Sequence, residues 1–156
     1  MSVQAQDNAP DFTLVNSDKE EVTLSSFKGR KVLLLFFPQS FTGTCIEELC
    51  SVRDDLSYYN DIDAEVLAIS VDSIFTLDRF KKDQNLNFTL LSDFNKEVIH
   101  LYGVVHEEFA FGMKGVAKRS AFVIDKTGVV QYAEIMDVPS DIPNFEEIKK
   151  SLEAVH

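Results

Sequence analysis

The sequence predicts an α/β fold in which a central mixed β-sheet is flanked by helices. Apolar runs of strand length alternate with segments of helical periodicity along most of the 156 residues. This alternation is typical of β-α-β units, which build parallel sheets. Near the carboxyl end, two apolar segments are joined by the short polar turn 125–128, which predicts an antiparallel hairpin. Parallel and antiparallel strands in one chain indicate a mixed sheet.

The amino-terminal half supplies a hairpin and the first β-α-β unit. Segments 12–15 and 22–24 lie on either side of a polar turn and predict a short hairpin. Val32–Phe37 is entirely apolar, as expected for a central strand that is buried on both faces. Apolar residues recur in steps of four and three from Cys45 to Tyr59, which predicts a helix, and 65–71 is a second buried strand.

The middle of the chain predicts two more helices and a short strand. Residues 72–73, Asp and Ser, have the chemistry of an N-cap for a helix that extends to about residue 82. Segment 88–91 is predicted to be a short strand. The Ser-Asp pair at 92–93 offers a cap for a further helix over 94–101.

The carboxyl-terminal part closes the sheet and covers it. Strands are predicted over 121–124 and 129–135, and Pro143 suits the first turn of a final helix over 144–154. This order of strands and helices is that of a thioredoxin-like domain. The length is close to that of one typical domain, so we expect residues 1–156 to form a single domain.

Composition excludes several classes of function. The 26 acidic and 15 basic residues give a net charge of −11, which disfavours nucleic acid or an anionic membrane as a partner. No apolar run is long enough to cross a membrane, and the polar segment 1–9 lacks the profile of a secretory signal. We therefore expect a cytoplasmic protein. The two cysteines and three histidines show no ligand spacing, so neither a metal nor another cofactor is expected.

The segment 36–50 carries the clearest chemical signal. It leads from the end of a buried strand, through a turn containing proline and glycine, into the start of a helix. Thr44 and Glu47 predict a capping box, which would make Cys45 the first helical residue. Free N–H groups and the positive end of the helix dipole would stabilise a thiolate there.

A reactive Cys45 also needs a cation from elsewhere in the chain. Nearby carboxylates raise the pKa of a thiol, and Glu47 and Glu48 follow Cys45 closely. The cations that could offset them are Arg53, Lys118 and Arg119, and spacing alone does not choose among them. The alternative is that Cys45 is an ordinary buried cysteine on the apolar stripe of its helix.

Cys50 lies five positions after Cys45 in the same predicted helix. Residues at this spacing have Cα atoms about 8–9 Å apart, beyond the roughly 7 Å that a disulfide allows. A bond between the two sulfurs therefore requires the start of the helix to unwind. One interpretation is a redox cycle in which Cys45 reacts, the helix start unwinds and Cys50 attacks. The other is that Cys50 never meets Cys45.

The pattern Pro38-x-x-x-Thr42-x-x-Cys45 resembles the active-site signature of the peroxiredoxins, the AhpC/TSA superfamily of thiol peroxidases with a thioredoxin fold. Together with the other segments, this motif makes the resemblance specific and extends it over nearly the whole chain. The similar segments are 9–12 with 24–29, then 33–45, 67–72, 91–94, 102–104, and 119–125 followed by Gly128.

The resemblance implies a role for each residue of the site. Cys45 would be the peroxidatic cysteine, whose thiolate attacks the peroxide bond, and Thr42 would contact the peroxide oxygens. Pro38 would shield the site from water. Arg119 would be the required cation, and Glu48 matches a glutamate that orients the arginine. The product would be a sulfenic acid at Cys45, which condenses with a second thiol.

Two peroxiredoxin types share features with this chain. Segments 36–45 and 91–94 are most similar to the alkyl hydroperoxide reductase E type, which typically lacks a cysteine at position 50. The spacing of Cys45 and Cys50 instead resembles the bacterioferritin-comigratory (Q) type, in which the second cysteine resolves the sulfenic acid. Resolution by Cys50 is the preferred interpretation, and resolution by an external thiol is the alternative.

The same resemblance implies the partners. The substrates would be hydrogen peroxide and organic hydroperoxides, the reductant would be thioredoxin or a similar protein, and the family implies a homodimer. A thioredoxin-like disulfide oxidoreductase is a rival interpretation, but the chain has no C-x-x-C pair. A redox-dependent sensor or interaction module is the non-enzymatic alternative.

Overall fold

The computed structural model describes residues 2–155 of the chain. Its helices lie close to the predicted segments, and none of those within the described residues is long and apolar enough to cross a membrane. Short 3-10 turns occur at Leu24–Phe27 and Ala110–Gly112. The helices are α1 (Gly43–Asp54), α2 (Leu56–Asp61), α3 (Ile74–Asp83), α4 (Glu97–Tyr102) and α5 (Phe145–Ala154).

The strands of the described chain form one central sheet and a small separate ribbon. They are β1 (Thr13–Asn16), β2 (Glu21–Thr23), β3 (Lys31–Phe36), β4 (Ala64–Ser70), β5 (Thr89–Ser92), β6 (Val105–His106), β7 (Val116–Ala117), β8 (Ser120–Ile124) and β9 (Val130–Ile135). The order in the central sheet is β2-β1-β5-β4-β3-β8-β9, and β6 pairs with β7 in the ribbon.

The central sheet is mixed, which confirms the predicted fold class. Strand β4 runs parallel to both β3 and β5. Strand β8 is antiparallel to β3 and to β9, and β1 is antiparallel to β5. Because the carboxyl ends of β3, β4 and β5 open at one edge of the sheet, the loop that follows β3 lies where α/β proteins place their chemistry.

Strand β3 lies inside the sheet, between β4 and β8, and both of its faces are apolar. Leu33 and Leu35 belong to a core that also contains residues of α1, α3 and α5. Val32, Leu34 and Phe36 face the opposite side, where a second core includes residues of α4. Each such side chain contributes roughly 1.5–3 kcal/mol on burial. The sheet is therefore a rigid base for the loop after β3.

The segment predicted as one helix over 45–59 is two helices, α1 and α2. Asp55 separates them, with φ −101° and ψ 10°, and Lys149 donates to its carboxylate at 2.8 Å. Leu49 and Tyr59 nevertheless belong to the same core. The spacing of apolar residues continues across the break because both helices bury one face in this core. The pattern of apolar residues therefore could not reveal the break.

Helix α4 begins three residues later than predicted. The carboxylate of Asp93 accepts from the N–H groups of Glu97, Val98 and Ile99 at 3.0, 3.2 and 2.8 Å, so Asp93 does cap the helix. Lys96, with a left-handed φ of 63°, makes the turn between cap and helix. The cap was predicted correctly, but the helix was predicted to start too early.

Helix α5 also begins after its predicted start. Asn144 is the N-cap, and its side chain accepts from the N–H of Glu147 at 3.2 Å. Pro143 therefore precedes the cap instead of occupying the first turn. The ribbon of β6 and β7 was not predicted, because strands of two residues are too short to show a period.

Candidate active site

The loop after β3 is held in one shape by its own contacts. Phe37 donates its N–H to the carbonyl of Ile69 on the neighbouring strand at 3.0 Å, and Pro38 is buried directly after it. Phe41 adopts a left-handed φ of 66°. The Thr42 hydroxyl then donates to the carbonyl of Gln39 at 3.0 Å, which closes the turn. Because this proton points to Gln39, the lone pairs of the hydroxyl stay available to accept.

A carboxylate just after the neighbouring strand β4 anchors the same loop. Asp72 Oδ2 accepts from both the N–H and the hydroxyl of Ser40 at 2.8 Å, and from the hydroxyl of Ser70 at 2.7 Å. The N-cap of α3 is Ser73, whose hydroxyl accepts from the N–H of Thr76 at 3.2 Å. The predicted cap at 72–73 is thus divided: Ser73 caps the helix and Asp72 holds the loop.

The capping box predicted at Thr44 and Glu47 is wrong. Helix α1 begins at Gly43 with Thr42 as its N-cap, and no side chain makes a capping hydrogen bond there. The closed turn at Gln39 starts the helix two residues earlier, which makes Cys45 its third residue. The first main-chain bond runs from Ile46 to Thr42 at 2.9 Å. The N–H groups of residues 43–45 precede that bond, so Cys45 still lies in the positively polarised first turn.

Arg119 is the cation beside Cys45. Its Nη1 and Nη2 atoms lie 3.3 and 3.2 Å from Cys45 Sγ, and both residues are buried, with exposures of 1% and 0%. The register of the sheet explains the contact. Ser120 pairs with Phe36, so the residue before β8 lies beside the loop that leaves β3.

The other two cations named from the sequence are engaged elsewhere. Arg53 pairs with Asp54 at 2.9 Å and donates to the carbonyl of Gln84 at 2.6 Å. Lys118 pairs with Asp137 at 3.0 Å. Arg119 is therefore the candidate that the fold brings to the thiol, in agreement with the resemblance.

Glu48 completes the buried cluster. Its Oε1 accepts from Arg119 Nη1 at 2.8 Å, and Arg119 Nη2 also donates to the carbonyl of Pro139 at 3.2 Å. Within the described residues, Glu48 Oε2 and Arg119 Nε have no hydrogen-bond partner. Burial raises the pKa of Glu48 to about 7, although the Arg119 charge acts in the opposite direction. Burial lowers the pKa of Arg119, but the charges of Cys45 and Glu48 outweigh it, and the net shift is upward.

Cys50 stands apart from this cluster. It is half-buried, and its Sγ contacts Gln84 Oε1 at 3.6 Å. Both cysteines are free thiols. The structure thus brings Cys45, Glu48 and Arg119 into direct contact and leaves Cys50 on another part of the same helix.

Some residues around the site were not foreseen from the sequence. His106 is 6% exposed, and its Nε2 has no partner within the described residues. Burial and the charge of Lys118 lower the pKa of His106. The anchoring role of Asp72 had a local signal, the Ser-x-Asp sequence at the end of β4. The acceptor at Pro139 had none, because Arg119 bonds to its main-chain carbonyl, which any residue type could supply. No group of three or more His, Cys, Asp or Glu residues within 2–155 could hold a metal ion.

Comparison with known proteins places the chain among thiol peroxidases. The model of the AhpC/TSA family matches residues 5–133. The chain is 40% identical over 137 residues to alkyl hydroperoxide reductase E of Mycobacterium tuberculosis, which covers 86% of each protein. It is also 40% identical over 124 residues to chloroplastic peroxiredoxin Q of Oryza sativa subsp. japonica, which covers 80% of this chain and 55% of the rice protein.

A solved structure agrees with these sequence matches. The crystal structure of peroxidoxin BcpB from Mycobacterium tuberculosis superposes with a TM-score of 0.87 and 25% identity, and 99% of each chain is covered. The E-type and Q-type relatives together confirm the resemblance drawn from the motif at 38–45.

Proposed function

This chain belongs to the AhpC/TSA family and is a peroxiredoxin, an oxidoreductase, and from that premise we propose that Cys45 is its peroxidatic residue. The Cys45 thiolate attacks one oxygen of the peroxide, the O–O bond breaks, and a sulfenic acid forms. Sulfur is oxidised and the second oxygen leaves as water or an alcohol.

The contact between Arg119 and Cys45 carries this proposal. Two guanidinium N–H groups converge on one buried sulfur, and the free N–H groups of the first turn of α1 lie on the same residue. Both stabilise the thiolate before the reaction. Donors of this kind also stabilise the charge that develops on the leaving oxygen.

The loop residues complete the proposed mechanism. The Thr42 hydroxyl donates to Gln39, so its lone pairs can accept the proton of an incoming hydroperoxide. Pro38 is buried beside the strand end and keeps water out of the site. We assign hydrogen peroxide and organic hydroperoxides as substrates. Both are neutral, so the net charge of −11 does not repel them.

We further propose that Cys50 resolves the sulfenic acid within the same chain. Its sulfur attacks Cys45 Sγ, water leaves, and a disulfide forms. Because both residues lie in α1, the first turns of that helix must unwind for the sulfurs to meet. A thioredoxin-like protein then reduces the disulfide, which fits a cytoplasmic enzyme supplied with thiol reductants. The homodimer implied by the family stays a prediction.

Peroxide consumption by purified variants tests the peroxidase activity. Cys45→Ser is expected to consume no peroxide above background, because Cys50, the remaining thiol, lies beyond the free N–H groups of the helix start and its Sγ contacts an amide oxygen, Gln84 Oε1. The matched variant Cys50→Ser keeps the reacting thiol and is expected to complete one reduction at the parental rate. Consumption by Cys45→Ser at the parental rate would overturn the proposal.

The fate of the sulfenic acid tests the role of Cys50. After one equivalent of peroxide, peptide mass spectrometry of the parent protein is expected to show a bond between Cys45 and Cys50 of one chain. Cys50→Ser is expected to stop at a sulfenic acid that a dimedone probe traps. Normal turnover of Cys50→Ser with thioredoxin would show instead that an external thiol resolves Cys45.

A further inference from the structure

The buried cluster around Cys45 contains two acids and one cation. Glu48 and Cys45 are each 0% exposed and Arg119 is 1% exposed, and Arg119 Nη1 contacts both of the others. If both acids were ionised, this water-excluded cluster would carry a net charge of −1. Unbalanced charge is costly in such a place.

The surrounding charges do not supply the missing balance. Lys118 is paired with Asp137 at 3.0 Å. Burial and the nearby Lys118 lower the pKa of His106, so its surroundings disfavour a positive charge on that ring. The cluster therefore has no net charge when one of its two acids is ionised beside Arg119 and the other holds its proton.

The two oxygens of Glu48 indicate where that proton lies. Oε1 accepts from Arg119 Nη1 at 2.8 Å, whereas Oε2 has no partner within the described residues. An ionised Glu48 would leave a buried, negatively charged oxygen without a donor. A protonated Glu48 carries its hydrogen on Oε2 and keeps the contact of Oε1 with Arg119, and the unpaired group is then a neutral hydroxyl, which costs less to bury than a charge. Burial, which raises the pKa of Glu48 to about 7, supports the protonated form.

We propose that Glu48 is protonated while Cys45 is a thiolate, and that it supplies the proton which neutralises the leaving oxygen of the peroxide. The S–O bond forms as the O–O bond breaks. The thiolate, the hydroperoxide and the Glu48 acid become the sulfenic acid, an alcohol or water, and the Glu48 carboxylate. The net charge is −1 on both sides for these three groups, so with Arg119 the cluster stays neutral throughout.

The position of Glu48 suits this role. It follows Cys45 by three residues in α1, and residues at that spacing share one face of a helix. A leaving hydroxide or alkoxide is strongly basic, and in a buried site a protonated carboxyl group is a nearer source of a proton than bulk water. When the thiolate has become a neutral sulfenic acid, the ionised Glu48 keeps Arg119 paired.

The test counts protons during a single oxidation, and it rests on the proposed peroxidase function. Every protein in this test carries Cys50→Ser, and the protein with that substitution alone is called the parent here. It stops at the sulfenic acid, so no protons from disulfide formation enter the count. One equivalent of hydrogen peroxide is added in weakly buffered solution with a pH indicator. The parent is expected to take up close to zero protons from solution per sulfenic acid formed. When Glu48→Gln is added to the parent, the protein is expected to take up about one. Glu47→Gln, which neutralises the exposed adjacent carboxylate, is the matched control and should behave as the parent.

Infrared difference spectra of the Cys50→Ser parent give a second measurement, and its main result does not require Glu48→Gln to fold. Oxidation of the parent is expected to remove one C=O band of a protonated carboxylic acid, and labelling glutamate with ¹³C should shift that band. Glu48→Gln should lack the band and Glu47→Gln should keep it.

The possible failures are distinguishable. If peroxide produces no sulfenic acid at Cys45, the proposed function itself fails. If the sulfenic acid forms but the parent and Glu48→Gln take up equal numbers of protons, or no carboxylic acid band is lost, Glu48 is not the proton source. That result would overturn the inference and leave the peroxidase intact.

Discussion

Cys45 and Cys50 belong to one helix, yet their surroundings differ in every respect that matters for thiol chemistry. Cys45 is fully buried in the first turn of α1, with two N–H groups of Arg119 within 3.3 Å of its sulfur. Cys50 is half-buried beyond that turn, and its sulfur contacts an amide oxygen, Gln84 Oε1.

The exposure of a thiol and the groups that stabilise its negative form are therefore separate properties. The more accessible Cys50 has an acceptor beside it, whereas the buried Cys45 has donors that match a negative sulfur. In the proposed mechanism a small neutral peroxide reacts with the buried Cys45, whereas Cys50 meets Cys45 only after the start of α1 has unwound.

Removing the cation should have the largest effect, because it erases what distinguishes Cys45 from Cys50. We expect Arg119→Met to lower the second-order rate constant for Cys45 oxidation by about 10³-fold, since two converging donors are lost. Stopped-flow kinetics with hydrogen peroxide measures this rate. Lys118→Met, which removes the adjacent cation paired with Asp137, should stay within about 2-fold of the parent. Equal losses in the two variants would contradict the assignment.

The buried acid beside Cys45 should make stability depend on pH. Its pKa is about 7 when folded and 4.5 as the ordinary value, so folding favours the protonated form. Glu48 therefore stabilises the fold less as pH rises from about 4.5 to about 7. Over that range, the free energy of unfolding of Glu48→Gln minus that of the parent should rise by on the order of 3 kcal/mol.

Urea unfolding at a series of pH values, under reducing conditions, measures this difference. Glu47→Gln controls for the loss of a carboxylate, because that side chain is exposed and its curve should run parallel to the parental curve. A difference between Glu48→Gln and the parent that does not change with pH would show that Glu48 is ionised throughout.

A change at the helix start should affect the second step alone. Gly43 is the first residue of α1, its φ is not positive, and an added Cβ would meet no atom within 4 Å. Gly43→Ala should therefore stabilise the first turn by about 0.5–1 kcal/mol. Formation of the Cys45–Cys50 disulfide should slow by roughly 2–5-fold, because that turn must unwind first.

Quenched-flow trapping of thiols after a peroxide pulse measures the disulfide step, and the preceding oxidation of Cys45 should keep its rate. Ser51→Ala, at an exposed position beyond Cys50 in α1, raises helix propensity where unwinding is not required and is the matched control. If Gly43→Ala leaves the rate of disulfide formation unchanged, helix unwinding does not limit resolution.

Most of the fold was predictable because its signals are local. The uninterrupted apolar run of β3 indicated a strand buried on both sides, and Asp93 and Ser73 had the chemistry of helix caps. The errors arose where hydrogen bonds that the residue pattern does not show decide where a helix begins or breaks. Asp55 breaks a helix whose apolar period continues, and the closed turn at Thr42 starts α1 ahead of the predicted cap at Thr44.

The candidate site divides in the same way. The motif of Pro38, Thr42 and Cys45 can be read from the order of the residues, because they are near neighbours in the chain and their spacing is visible in it. The choice of Arg119 over Arg53 and Lys118 rested on resemblance, since 74 positions separate Arg119 from the thiol that it contacts.

The electrostatics of the site, in contrast, depend on contacts that form when the chain folds. The pairing of β8 with β3 brings Arg119 to Cys45. The packing of α1 against the sheet buries Glu48, one of whose carboxylate oxygens has no partner among residues 2–155. Two glutamates side by side, Glu47 and Glu48, are equivalent as letters in a sequence. One is exposed and the other is enclosed beside a guanidinium, because the pKa of an acid is set by the solvent and charges that the folded chain places around it.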